Sequence, residues 1–166
     1  MPFVDRAGNL FNTECEALVN AVNCVGVMGA GIAKSFRTQF PDMYCHYKTQ
    51  CARGRLQLGQ VLVWSHEEYD DMKVISFPTM HYPGEAASLD TIRDTMKPLR
   101  DAIVLHDIPS VAIPALGCGI GGLDWQDVRS VIVTGLADLE STHTIELYTP
   151  LTPASRPRTR SAPTGR

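Results

Sequence analysis

A chain of 166 residues is long enough to bury a substantial core without staples, and 44% hydrophobic against 20% charged residues is the balance of an ordinary globular domain. The formal charge of -3 is unevenly spread: Arg156, Arg158, Arg160 and Arg166 follow Leu151 with no acid among them, leaving 11 basic against 18 acidic residues before that point, about -7. That balance argues against a duplex-DNA-binding body, five irregularly spaced cysteines argue against a disulfide scaffold, and the opening Met1-Pro2-Phe3-Val4-Asp5-Arg6 has no apolar run of a signal peptide or membrane span. A reduced, cytoplasmic protein with no membrane partner is expected.

Phe3 to Arg6 reads as a short strand, and Ala7-Gly8-Asn9-Leu10-Phe11 turns out of it. Ala17-Leu18-Val19 is a buried strand with Asn20 and Asn23 at its exit. Gly26, Gly29 and Gly31 then bring bare backbone to a helix running from about Gly31 to Gln39. Phe40-Pro41-Asp42 ends that helix and starts a second, which Arg53-Gly54-Arg55 closes. Gln60 to Trp64 and Lys73 to Phe77 are strands, expected to pair as a hairpin across the polar turn from His66 to Asp71.

Pro78 to Ala87 has two prolines and no period, so it is a loop leaving a strand end. Ser88 caps a long helix to about His106, with a kink or interruption expected at Pro98. Val111 to Pro114 is the next strand. Asp124 caps a helix that places Val128, Val131, Ile132, Leu136 and Leu139 on one face, and Thr144 to Tyr148 supplies a last strand. The order β, β, α, α, β, β, α, β, α, β predicts an α/β fold over residues 1–150: a three-layer α/β/α sandwich with a mixed, mostly parallel central sheet. The Pro, Ser, Thr and Arg stretch 151–166 reads as a disordered tail.

Two runs repeat one plan of strand, glycine loop and helix. Backbone N–H groups at such a helix start, unobstructed by Cβ atoms, bind phosphate, and two such loops together can clamp a diphosphate. The first run is not a P-loop, because Lys34-Ser35 comes two residues late for the spacing that starts at Gly26. The second matches G-x-G-x-x-G at Gly117, Gly119 and Gly122, yet only one more strand follows, too few βα units for a dinucleotide fold.

The stretch Val19-Asn20-Ala21-Val22-Asn23 with Gly26-Val27-Met28-Gly29-Ala30-Gly31-Ile32-Ala33, and the run Pro114-Ala115-Leu116-Gly117-Cys118-Gly119-Ile120-Gly121-Gly122-Leu123-Asp124-Trp125, resemble the macrodomains, the ADP-ribose-binding fold. Within that family the wording is most similar to ADP-ribosyl hydrolases of the DarG type and of the terminal ADP-ribose protein glycohydrolase type. The resemblance implies ADP-ribose as ligand or product and no metal or other cofactor. It puts Asn9 and Leu10 near the adenine, Asn20 and Asn23 at the strand exit with Asn23 on the distal ribose, and Gly29, Ala30, Gly31 and Ile32 in the first phosphate loop. Leu116, Gly117, Cys118, Gly119, Ile120 and Gly121 form the second loop, and Pro78, Thr79 and Met80 the strand-exit loop. Cys118 is read as a small residue between glycines rather than a nucleophile, and Cys45-His46 with Cys51 is too sparse for zinc.

Two departures bear on chemistry. Where both of those relatives have a lysine after the strand-exit Thr, this chain has Met80, and where the protein-directed enzyme has an aspartate in its second loop, it has Gly121. A lysine-dependent covalent route is therefore not carried over. Two readings stay open: a mono-ADP-ribosyl hydrolase that positions a water against the substrate's own phosphate, with Asn23 and one of His81, Tyr82 or Glu85 assisting, or a reader that binds ADP-ribose without chemistry. The hydrolase is preferred because a reader usually acts through a second domain, and the short tail argues against a full antitoxin. ADP-ribosylated protein, modified on acidic side chains, is preferred over ADP-ribosylated DNA because the body is acidic, and a monomer is expected.

Overall fold

The computed structural model describes residues 3–68 and 72–150. The tail 151–166, and the end of the polar turn at 69–71, lie outside the described residues. One six-stranded sheet organises the rest: β1 (Phe3–Arg6), β2 (Ala17–Val22), β3 (Leu62–Ser65), β4 (Lys73–Pro78), β5 (Ser110–Ile113) and β6 (Thr144–Tyr148), in the spatial order β1-β6-β5-β2-β4-β3. Every pairing is parallel except the edge pair β3–β4, the expected hairpin. Four helices complete it: α1 (Gly31–Gln39), α2 (Pro41–Ala52), α3 (Leu89–Leu105) and α4 (Trp125–Gly135).

The strands alternate between two cores, and that alternation makes three layers. Ala17 and Val19 of β2, Ile75 and Phe77 of β4, Val111 and Ile113 of β5, and Ile145 and Leu147 of β6 face the core shared with α3 and α4. Leu18, Val22, Val74, Ala112 and Tyr148 point the other way, onto Phe36 of α1 and Met43 and Tyr47 of α2. With both faces covered, central strands read as near-continuous apolar runs, which is why β2 and β5 stand out in the sequence. No helix among the described residues is long and apolar enough to cross a membrane.

Of the kink or interruption expected at Pro98, the interruption does not occur, since α3 runs through it from Leu89 to Leu105. A proline in a helix interior costs about 3 kcal/mol in a lost hydrogen bond and a steric clash. Ile92, Met96, Leu99 and Ile103 are all buried on the sheet side of α3. Each contributes about 1.5–3 kcal/mol on burial, so packing outweighs the local defect. Leu136 and Leu139, expected on the face of α4, lie just past its end, Leu136 as its C-cap and Leu139 in the short 3-10 segment Ala137–Leu139, and both still reach the core.

The buried carboxylate of Glu146 on β6 ties the β1 edge to the segment before β2. It accepts hydrogen bonds from Arg6 Nε at 2.7 Å, from Cys15 Sγ at 3.2 Å and from the Thr13 hydroxyl. Burial pushes this carboxyl up, but the hydrogen bonds from Thr13, Arg6 and Cys15 together hold it below its ordinary value. It therefore serves as a charged anchor for the strand edge.

Candidate functional site: a cleft between two glycine loops

The loops that leave β2, β4 and β5 all depart from the carboxyl ends of three adjacent parallel strands. Ligands of open α/β sheets collect at such ends. Between these loops lies a cleft of about 320 Å³, lined by Ala21, Val22, Asn23, Val27, Gly29, Ala30, Ile32, Ala33, Thr79, Met80, Pro83, Gly84, Ala115, Gly117, Gly119 and Ile120. A larger and more open groove of about 790 Å³ runs between β3 and the end of α3, away from every glycine loop. The smaller cleft is the better candidate, because the unbonded backbone donors converge there.

Helix α1 begins at Gly31 behind Ala30, whose methyl side chain cannot accept a capping hydrogen bond. The N–H groups of Gly31, Ile32 and Ala33 thus have neither a helical partner nor a side-chain cap. By contrast Ser88 caps α3 by accepting from the Thr91 N–H, and Asp124 caps α4 by accepting from the Gln126 N–H at 2.9 Å. The helix that opens onto the cleft is left uncapped, with the positive end of its dipole available to an anion.

Across the cleft, the second loop folds on itself. Leu123 N–H donates to the Gly117 carbonyl at 2.9 Å and Gly122 N–H to the Gly119 carbonyl at 3.1 Å, while Ala87 N–H donates to the Gly121 carbonyl at 3.0 Å. The N–H groups of Gly119 and Ile120 take no hydrogen bond among the described residues. The glycines differ in why they are glycine. A Cβ at Gly119 would meet nothing within 4 Å, whereas at Gly121 it would sit 2.6 Å from the Gly117 carbonyl oxygen and 2.7 Å from Ala87 Cβ. Gly121 is thus packed too tightly for any side chain unless the loop shifts. Gly117 combines φ +71° with Cβ contacts of 2.9 Å, so it too is held by sterics.

Asn23 lines the cleft, but its carboxamide is committed to the first loop. Its Nδ2 donates to the Val27 carbonyl at 2.7 Å, and its Oδ1 accepts from the N–H groups of Val25 at 3.1 Å and Val27 at 3.4 Å. The Tyr47 hydroxyl of α2 lies 2.9 Å from Asn23 Oδ1 and 2.8 Å from the Asn23 carbonyl oxygen, donating to this pair. Tyr47 is fully buried, and burial, with Cys51 second, pushes its phenol far above the ordinary value. It stays a donor at any working pH. Tyr47→Phe is expected to cost about 1–3 kcal/mol by leaving two buried acceptors short of a partner, read as a lowered thermal midpoint. An unchanged midpoint would mean that the hydroxyl does not brace the loop.

The remaining residues singled out from the sequence divide into those on the cleft and those behind it. Gly29, Ala30, Ile32, Thr79, Met80, Gly117, Gly119 and Ile120 line it, while Gly31 stands at the α1 start between lining residues. Leu10, Asn20, Pro78 and Leu116 are buried, and Asn20 Oδ1 has no hydrogen-bond partner among the described residues. Asn9 is exposed outside the lining and its Oδ1 accepts from the Phe11 N–H at 2.9 Å. His81 and Glu85 also lie outside the lining, joined by the His81 N–H donating to Glu85 Oε2 at 3.2 Å. Burial first, and Asp124 second, push the Cys118 thiol up to about 11, so it is neutral and unreactive near pH 7. Ala21, Val22, Val27, Ala33, Pro83, Gly84 and Ala115 also line the cleft, and such small residues carry no chemical signal by which the sequence assigns them a role.

The lining holds two polar side chains, Asn23 and Thr79, and no titratable one. What it offers is backbone: an uncapped helix start facing a loop with free N–H groups, the arrangement of an anion-binding α/β domain. The Macro domain family model matches residues 19–132, and the chain belongs to the macrodomain family. It is 38% identical over 149 residues to the DNA ADP-ribosyl glycohydrolase of Mycobacterium tuberculosis (strain ATCC 25618 / H37Rv), a match covering 87% of this chain and 41% of that protein. The chain thus spans less than half the length of the curated relatives it matches first. Among solved structures it superposes on the macrodomain of Mycobacterium tuberculosis DarG with a TM-score of 0.85 and 37% identity, covering 89% of this chain and 97% of that one. It also superposes on Thermosipho africanus DarTG in complex with ADP-ribose, with a TM-score of 0.81 and 28% identity over 89% of this chain and 42% of that one.

Proposed function

We propose that the cleft binds ADP-ribose, with the diphosphate between the α1 start and the Gly119 loop, and that the protein releases ADP-ribose from modified DNA. The observation that carries the binding is the uncapped α1 N-terminus behind Ala30, opposed by the free N–H groups of the second loop. Support for hydrolysis, and for DNA over acidic protein side chains, comes from the activity named for the 38%-identical relative. Protein esters take second place, although the acidic body favours them.

No side chain of the lining can act as base, acid or nucleophile, so the reading uses the substrate. A water attacks the anomeric carbon and passes its proton to a phosphate oxygen of the bound diphosphate. The glycosidic bond breaks toward the leaving group, which departs with the electron pair. The protein contributes orientation through the Asn23-braced first loop and electrostatic stabilisation through backbone N–H groups. Thr79 is anchored at the strand exit by its N–H donating to the Val22 carbonyl at 3.0 Å, which fixes Met80 at the cleft wall.

The lack of any titratable lining side chain favours a second reading, a reader that binds ADP-ribose without turning it over. An oligonucleotide carrying ADP-ribose on a base and a protein carrying it on glutamate, offered in parallel near neutral pH with a no-protein control, separate the two. Release from the oligonucleotide above control is expected, and faster than from the protein. Tight binding of ADP-ribose with no release from either substrate would make the chain a reader.

A further inference from the structure

An ordered aromatic ring stands in solvent at one end of the cleft. Tyr82 is 56% exposed, and it sits between two lining residues, Met80 and Pro83. The turn that carries it is fastened on three sides. The His81 carbonyl accepts from the Cys24 N–H at 3.0 Å, the His81 N–H donates to Glu85 Oε2 at 3.2 Å, and the Glu85 N–H donates to the Tyr82 carbonyl at 3.3 Å. The His81 ring meets the Tyr82 ring edge-on, with centroids 4.4 Å apart and planes at 89°. The backbone of the turn is thus held, and the His81 ring supports one side of the Tyr82 ring.

Its place along the cleft identifies what it faces. The bond from Cys24 to His81 puts this turn beside Asn23, and the ADP-ribose reading sets the distal ribose, and so the group attached to it, at that residue. The cleft carries exposed apolar side chains. Of the seven large apolar side chains exposed among the described residues, Val27 and Ile120 line the cleft and Tyr82 adjoins it. A sugar diphosphate gains nothing from such a rim, and neither does a carboxylate side chain. A nucleobase has a flat π face for the ring and apolar edges for the rim.

We infer that Tyr82 is a stacking platform for a nucleobase of the substrate strand, and that it favours ADP-ribose attached to nucleic acid over ADP-ribose attached to protein. The inference rests on the ADP-ribose reading of the cleft. Stacking of this kind is sequence-tolerant and changes affinity by about tenfold or more when the ring is removed.

The test measures binding of free ADP-ribose, of a base-modified ADP-ribosyl oligonucleotide and of the same unmodified oligonucleotide, on a timescale shorter than any release. The wild-type protein should hold the modified oligonucleotide about tenfold tighter than free ADP-ribose, with the unmodified strand far weaker. Tyr82→Ala should erase that margin and leave the affinity for free ADP-ribose unchanged, and Tyr82→Phe should keep the margin because the ring, not the hydroxyl, provides it. A margin that survives Tyr82→Ala, is absent from the wild type, or is lost equally in Tyr82→Phe overturns the inference while the cleft assignment stands. Failure of the wild type to bind free ADP-ribose removes the assignment and the inference with it.

Discussion

Gly119→Glu should weaken ADP-ribose binding at least about a hundredfold while leaving the thermal midpoint where it is. A carboxylate about 4 Å from one phosphate charge costs about 4 kcal/mol at an effective dielectric of 20, more than a hundredfold in affinity. The fold is spared because a Cβ at Gly119 meets nothing within 4 Å and its φ lies outside the left-handed region. The same change at Gly31 is a less clean probe, since its φ of +59° strains any side chain, and at Gly121 it would force the loop apart. Calorimetry and a melting curve on one Gly119→Glu preparation give both readouts. If both stability and binding fall, the loop needs glycine for its own conformation rather than for a ligand.

Asn23→Ala is expected to do the opposite, lowering stability and affinity together. It strips the partner from the N–H groups of Val25 and Val27, the carbonyl of Val27 and the hydroxyl of Tyr47 at once. Leaving such groups unpaired in a site only 7% exposed should cost about 3 kcal/mol, less than the sum of the separate bonds because water reaches the loosened loop. ADP-ribose affinity should drop by about tenfold, as the first loop no longer presents its backbone in one arrangement. Unchanged stability with lost affinity would mean that Asn23 contacts the ligand directly and does not brace the loop.

Those two residues also mark what the sequence could and could not disclose. The bounds of α1 and β6, the caps Ser88 and Asp124 and the β3–β4 hairpin follow from local pattern, where the residues that decide the structure are neighbours in the chain. The pairing of Phe3 with Ile145 across the chain is not local. That α3 continues through Pro98 depends on the packing of Ile92, Met96, Leu99 and Ile103, which local propensity does not contain. The resemblance puts Asn23 on the ligand, whereas its brace from Tyr47 joins a loop to a helix 24 positions away, a link invisible to spacing. The uncapped start of α1 is in plain view as Ala30-Gly31, but it becomes informative only beside the capped starts of α3 and α4, and with the fold placing it, unlike the uncapped Pro41 start of α2, on the cleft.

The account stands on one claim, that the cleft holds both halves of ADP-ribose across its diphosphate. Calorimetric titration with ADP-ribose and with AMP tests it most directly, because AMP keeps the adenosine and one phosphate but lacks the part proposed to reach Asn23 and the Met80 wall. A micromolar dissociation constant for ADP-ribose, with AMP weaker by about tenfold or more, is the expected result. Equal affinity for the two ligands would contradict the claim, since the second phosphate and the distal ribose would then contribute nothing.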